Sequence, residues 1–383
     1  MNRIALIHDW FSVYTGSERV VEQILRLYPQ ADLFSLVDFL PAGERAFLQD
    51  KPVQTSFIQR LPLARKSFRN YLALMPLAIE QFDLTSYDLV ISSSHAVAKG
   101  VLTGPDQLHL SYIHSPLRYA WDMQPAYLRE SKMEHGPKSW LARWMLHYIR
   151  IWDQRSMNGV DAIACNSRFI ARRIWKTYRR EAQVIYPPVN LDTFQLCEQK
   201  ENFYLTASRL VPYKQVSLIV EAFGQMPNHK LIVVGDGPEL AEIRKMAAPN
   251  VSVIGFQPES ILADLMRRAR AFVFAAQEDF GIAPVEAQAC GTPVIAFGRG
   301  GAVESVRGLD HPQPTGVFFM EQSAEAIRRA VTQFEENCQR LFPQICRANA
   351  EQFKVERFRN EFSGFVETHW EKFLQNNGSS FLR

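Results

Sequence analysis

Short runs rich in β-branched and other apolar residues alternate along this chain with stretches of helical periodicity, and that alternation restricts the fold more than any other feature. In the first half the runs Arg3–Ile7, Leu33–Leu36, Leu89–Ser92, His109–Ile113, Ala162–Ala164 and Ala182–Ile185 read as strands. In the second half the strands are Phe203–Thr206, Lys230–Val234, Val251–Ile254, Ala271–Phe274 and Pro293–Ala296, with helical periods such as Glu18–Leu27, Val216–Phe223 and Ile261–Arg268 between them. Strands joined through helices are parallel, and parallel sheets need cover on both faces, so the expected class is α/β with doubly wound sheets. Tyr186-Pro187-Pro188 breaks the pattern, because two successive prolines fit neither a helix interior nor a central strand. The pattern restarts at Phe203. This predicts a domain over 1–187, a second over 188–355, and a last helix, 356–383, returning to the first domain.

Composition agrees. A chain of 383 residues with 47% hydrophobic and 22% charged residues is large enough for two cores and is not disordered. The longest stretch without Asp, Glu, Lys or Arg, Met246–Pro258, is too short for a bilayer-spanning helix, which needs about 20 apolar residues. Five scattered cysteines without a Cys-x-x-Cys pair argue against a disulfide framework or zinc knuckle. The N-terminus runs straight into a strand with no signal-peptide pattern, so a cytoplasmic location is expected. The net charge of +3 conceals an imbalance: residues 51–180 hold 19 Lys/Arg against 9 Asp/Glu. Such a region suits an anionic substrate, anionic lipid or nucleic acid; for the last, only the basic tilt speaks.

Chemistry concentrates after the strands. Ala271–Phe274 is followed by Glu278-Asp279-Phe280-Gly281-Ile282 and a helical stretch carrying Glu286. Gly281 permits close backbone approach, and the N–H groups of Phe280, Gly281 and Ile282 stand at a helix start, where anions and polar oxygens are favoured. Arg209 and Lys214 follow another strand, a planar fork and a point charge five residues apart, which on their own are either surface cations or ligands for an anion. No Asp-x-Asp and no His-Glu-x-x-His occurs, so no metal is expected.

The Glu278 to Glu286 spacing resembles the Glu-x7-Glu motif of GT-B glycosyltransferases, and the order of motifs resembles family 4, the retaining group-1 type. Ser208 to Lys214 is similar to the family's Arg…Lys pair, Gly235-Asp236-Gly237 to its Gly-rich turn, and Asn166-Ser167 with Tyr186 to Val189 to the end of its acceptor domain. His114 to Asp122 is similar to a segment of bacterial mannosyltransferases that build O-antigen and capsule glycans.

The resemblance implies two Rossmann-like domains facing a cleft and transfer of a hexose, with mannose from GDP-mannose the leading donor. The acceptor would be a surface polysaccharide or lipid-linked glycan; the nucleotide sugar is a substrate, and no cofactor is implied. Arg209 and Lys214 would hold the diphosphate, Glu286 the ribose, and Glu278 and His114 the sugar. Gly16, Gly235 and the amides of Phe280, Gly281 and Ile282 would approach the donor. Asp9 would either orient an acceptor hydroxyl or serve as a structural carboxylate of its loop, and Ser17 either lies near the phosphate or caps the first helix. Segments 60–69 and 138–152, which mix cations with aromatic residues, fit peripheral contact with the inner face of the cell membrane. The alternatives are a UDP-sugar donor, a nucleotide-sugar epimerase, or a non-catalytic assembly subunit. A dinucleotide oxidoreductase fits poorly, because Leu240 stands where that fingerprint has its third glycine.

Overall fold

The computed structural model describes residues 3–380, so the outermost residues of the first and last predicted spans lie outside it. The chain divides into two compact units, one running to Pro187 and resuming at Phe358, the other Pro188–Arg357. Each holds one fully parallel sheet. The first contains β1 (Ile4–His8), β2 (Asp32–Ser35), β3 (Val53–Thr55), β4 (Leu89–Ser94), β5 (Leu108–Ile113), β6 (Ala162–Cys165) and β7 (Gln183–Val184), in the order β3-β2-β1-β4-β5-β6-β7. The second contains β8 (Tyr204–Ala207), β9 (Leu231–Val234), β10 (Val251–Gly255), β11 (Ala271–Phe274), β12 (Val294–Phe297) and β13 (Gly316–Phe319), in the order β10-β9-β8-β11-β12-β13. Both are doubly wound α/β sheets. Strand order reverses between β1 and β4 and between β8 and β11, and ligands of such sheets bind beyond the carboxyl ends of the strands at that reversal.

Side-chain alternation explains the layers. Ile4 and Leu6 of β1 face Val20, Val21 and Ile24 of the helix Gly16–Leu27, together with Phe358, Phe362, Phe365 and Val366. Ala5 and Ile7 face the opposite side, with Met75, Ile79, Leu146 and Ile149. Phe358, Phe362, Phe365 and Val366 of the helix Val355–Ser380 recur at intervals of four, three and one, which places them on one helical face. Each fully buried side chain of this size contributes about 1.5–3 kcal/mol. The second core gathers Tyr204, Ile219, Phe223, Val233, Val273, Ile295, Ile327 and Phe334 around β8, β9, β11 and β12.

Two strands, β3 and β13, are absent from the sequence reading. Val53-Gln54-Thr55 is a half-exposed edge with little apolar content, and β13 opens on a glycine just after Pro314-Thr315. Gln183–Val184 is only half of the expected run, as befits an edge strand with one neighbour.

Candidate active site

In the second unit, β8 delivers the loop Ser208–Lys214. Two hydrogen bonds lock that loop to the turn after β9: Ser208 N–H donates to Val234 O (3.2 Å) and Leu210 N–H to Asp236 O (2.9 Å). Gly235 has φ +141°, and a Cβ there would lie 1.9 Å from Ser208 O. Its missing side chain therefore admits the neighbouring protein backbone, and its bearing on a donor is through the placement of Arg209. The Arg209 guanidinium is exposed and, among the described residues, makes no side-chain hydrogen bond or ion pair. Lys214 ends a short turn, Pro212–Lys214, and forms an ion pair with Glu278. Both side chains are only partly buried, 15% and 18% exposed, so a diphosphate and a sugar hydroxyl could compete for them.

Glu278 comes from the loop after β11. That loop turns at Gly281, φ +86°, into the helix Ile282–Ala289, whose first amides have no acceptor within the helix. The Phe280 ring is buried and packs edge-on against Phe353 at 5.3 Å, which leaves its backbone as the part that can serve a ligand. Glu286 is buried at 5% exposure on the same helix. The loop is also held from behind. Gly301 N–H donates to Glu278 O (2.8 Å), and a Cβ on Gly301 would fall 2.2 Å from Phe280 Cα. Gly300 and Gly301 went unread in the sequence; the signal was the run Gly298-Arg299-Gly300-Gly301 directly after β12. The second unit thus brings Lys214 and Glu278 together at the carboxyl ends of β8 and β11, with Arg209 on the same loop as Lys214.

In the first unit the strand ends carry a cluster of ionisable groups. Asp9 follows β1 and is fully buried. Its carboxylate accepts four backbone N–H bonds: His95 (2.6 Å) and Ala96 (2.9 Å) on Oδ2, Val97 (2.6 Å) and Ala98 (2.7 Å) on Oδ1. His95 Nδ1 is a further 3.1 Å neighbour, at ion-pair distance but not aligned as a hydrogen bond. Burial alone would raise the Asp9 pKa, but the charges of His95 and His8 and the backbone donors bring it below the usual carboxylate value. With two backbone donors on each oxygen, Asp9 pins the loop after β4, which fits the structural one of its two expected roles.

The helix Gly16–Leu27 begins at the N-cap Thr15, not Ser17, and Gly16 is its half-exposed first residue. Glu18 Oε2 accepts from Thr15 N–H (3.0 Å), Thr15 Oγ1 (2.7 Å) and Ser17 Oγ (3.0 Å), while Oε1 lies 3.3 Å from His8 Nε2. Burial disfavours charge on both partners, yet their mutual bond prevails: His8 is raised above its ordinary value and Glu18 is lowered to about 2.

His114 stands one residue past β5. Its N–H donates to Ser94 O (2.8 Å), Asn166 Nδ2 donates to its carbonyl (3.0 Å), and Nε2 lies 2.8 Å from Ser93 Oγ. Burial, then the charges of His95 and His8, lower its pKa to about 3, so His114 is neutral near pH 7. The sequence reading singled out His114 and overlooked His8, Glu18, Ser93 and His95. Among the described residues no group of three or more His, Cys, Asp or Glu side chains is placed to hold a metal ion.

Two doubly wound parallel sheets, one ending in a cation–carboxylate pair beside a helix N-terminus and the other in a histidine, define the GT-B class. Residues 14–193 match the model of Glycosyltransferase Family 4, and residues 191–353 that of Glycosyl transferases group 1. The chain carries the two domains of a group 1, GT-B glycosyltransferase in that order. A D-inositol 3-phosphate glycosyltransferase of a Mycobacterium species is 28% identical over 186 residues, 41% of this chain and 42% of that protein. An uncharacterized glycosyltransferase of Methanocaldococcus jannaschii is 32% identical over 152 residues, 38% of this chain and 42% of that protein. These matches thus span about two fifths of each curated relative's length. Among solved structures, HepE of Anabaena, crystallised with UDP, superposes with a TM-score of 0.70 at 17% identity, covering 96% of this chain and all of that one. Sucrose-phosphate synthase of Thermosynechococcus elongatus gives 0.72 at 17% identity, covering 97% and 100%. None of these four carries a mannosyltransferase name.

Proposed function

We propose that this protein transfers a hexose from a nucleotide sugar, with retention of configuration, to a glycan or lipid-linked glycan. The observation that carries the reading is the Lys214–Glu278 pair beside the exposed Arg209, at the strand ends where a doubly wound sheet takes its ligand. The two cations stabilise the departing diphosphate, and the helix N-terminus at Ile282 adds partial positive charge, so the leaving group is stabilised without a divalent metal. Glu278 and His114 hold sugar hydroxyls and Glu286 the ribose. The leaving phosphate acts as base for attack on the same face. Arg209→Ala is expected to lower kcat at least 100-fold; near-wild-type turnover would remove Arg209 from this role.

The resemblance of His114 to Asp122 to mannosyltransferases favours GDP-mannose. The UDP-glucose bound in a crystal structure of HepE favours a UDP-sugar as the second reading. Thermal-shift titrations decide between them, since a ligand at 100 times its Kd stabilises the native state by about 2.7 kcal/mol.

Contact with an anionic lipid surface belongs to the same reading. The helix Pro137–Ser156 exposes Trp140 (80%), Leu141, Trp144 (67%), Tyr148 and Ile151, flanked by Lys138 and Arg143, while its single carboxylate, Asp153, is buried against Lys99. Within 60–69, Arg60, Leu63, Arg65, Lys66 and Arg69 are exposed. No helix of the described residues is long and apolar enough to cross a membrane. Trp140→Ser/Trp144→Ser is expected to abolish sedimentation with phosphatidylglycerol vesicles; equal binding of both proteins, or of phosphatidylcholine vesicles, would refute the contact.

A further inference from the structure

His8, Ser93 and His114 form a row across three adjacent strands. His8 pairs in register with Ser93, β4 pairs with β5, and His114 is the residue after β5. All three side chains project from the same sheet face, toward the helix that carries Glu18. The distances along the row are 3.3 Å from Glu18 Oε1 to His8 Nε2, 3.2 Å from His8 Nδ1 to Ser93 Oγ, and 2.8 Å from Ser93 Oγ to His114 Nε2. Proton positions follow from one further contact: His8 Nδ1 also lies 3.1 Å from the Ser93 carbonyl oxygen. A carbonyl only accepts, so Nδ1 carries a hydrogen. The Glu18 carboxylate, ionised, also only accepts, so Nε2 carries one too. His8 is therefore an imidazolium with Glu18 as its counter-ion. Its Nδ1 hydrogen is shared between the Ser93 carbonyl and hydroxyl oxygens, which leaves Ser93 unable to donate to His8. The single hydroxyl hydrogen of Ser93 then goes to His114 Nε2.

We propose that Glu18, His8 and Ser93 are positioning residues that hold His114 as the neutral tautomer with its hydrogen on Nδ1. Were His8 neutral with Nδ1 bare, Ser93 would donate to it and accept from His114, and the hydrogen of His114 would sit on the other nitrogen. A positive charge fixed at His8 thus decides which edge of His114 can donate. The charged and titratable groups around this row are Asp9 beside β1, Glu18 on the helix, His95 after β4 and His114 itself. That the Nδ1 hydrogen is given to an oxygen of the donor sugar rests on the function proposed above; the tautomer does not.

The test uses the full-length protein with 15N-labelled histidine. Two-bond proton–nitrogen spectra report the tautomer of each ring, and the His114 signals are those missing in His114→Gln. In the wild type the Nδ1–H form of His114 is expected in at least tenfold excess, with His8 protonated on both nitrogens. In Ser93→Ala the excess should fall below threefold, and in Ser93→Thr, which restores a hydroxyl, it should return. A wild-type His114 protonated on Nε2, or a neutral His8, overturns the proposal even if no variant folds; so does a folded Ser93→Ala that keeps the tenfold excess. GDP-mannose and UDP-glucose are then added separately. Movement of the His114 Nδ1 resonance with either supports its donor role. A tautomer as stated with no movement by either ligand overturns the functional placement of His114 and leaves the positioning role of Glu18, His8 and Ser93 standing.

Discussion

Asp9→Asn separates a loop-pinning carboxylate from an acceptor ligand. The native side chain takes two backbone N–H groups on each oxygen. An amide keeps one oxygen and turns an NH2 toward the other two donors, leaving two mostly buried N–H groups facing a donor. Each unpaired buried N–H costs about 1–3 kcal/mol, so the substitution should destabilise the first unit by about 4 kcal/mol, with loss of the charge-assisted bonds included. All seven tryptophans, Trp10, Trp121, Trp140, Trp144, Trp152, Trp175 and Trp370, lie in the first unit, so intrinsic fluorescence follows its unfolding alone. With a urea slope of about 2–3 kcal/mol per molar, the midpoint should fall by about 1.3–2 M. A midpoint within about 0.3 M of wild type, accompanied by weaker acceptor use, would refute the pinning argument and return Asp9 to the acceptor.

Four other outcomes are expected. Gly235→Ala forces a Cβ into Ser208 O at a backbone angle that L-residues avoid; it should destabilise the second unit by about 2–4 kcal/mol and weaken nucleotide binding, read by thermal shift and titration. Phe362→Ala empties part of the face covering Tyr112 and should cost about 3–5 kcal/mol in the same fluorescence assay. Acidification should destabilise the first unit: His109 and His114 are lowered by burial to about 4 and about 3, so their stabilisation is complete above 6.5 and is lost as pH falls toward those values. Each contributes a slope of up to about 1.4 kcal/mol per pH unit, and an unchanged midpoint between pH 7 and 5 would contradict the assignment. The Glu18–His8 pair behaves differently. The Glu18 contribution is lost below 4.5, down to about 2, and that of His8 is lost as pH rises through its elevated value, so the pair stabilises most between about 4.5 and 6.5.

What could be read from the sequence was what is local along the chain. Arg209, Lys214, Glu278, Gly281 and Glu286 each follow a strand within a dozen or so residues, and parallel topology brings the ends of neighbouring strands together. The His8–Ser93–His114 row was not legible, because it depends on strand register between residues 85 and 21 positions apart. A shift of one residue in either pairing would send these side chains to opposite faces. The role of Asp9 stayed open in the sequence for a related reason. Its partners are backbone amides of residues 95–98, and an amide donor looks the same whatever side chain it bears. Gly300 and Gly301 serve a loop from the preceding strand, a contact that no local pattern announces.

The first unit is built from two separated pieces of chain, since Phe358, Phe362, Phe365 and Val366 cover the same sheet face as the helix Gly16–Leu27. On the ribosome, β1 to β7 and then the whole second unit emerge before that cover exists. Ile4, Leu6, Leu89, Ile91 and Tyr112 must wait, partly wet, for residues synthesised after the second unit. Of the two units, the one begun earlier is completed later, and a transcript truncated anywhere before Phe358 would yield a complete second unit at most, beside a first with one face open.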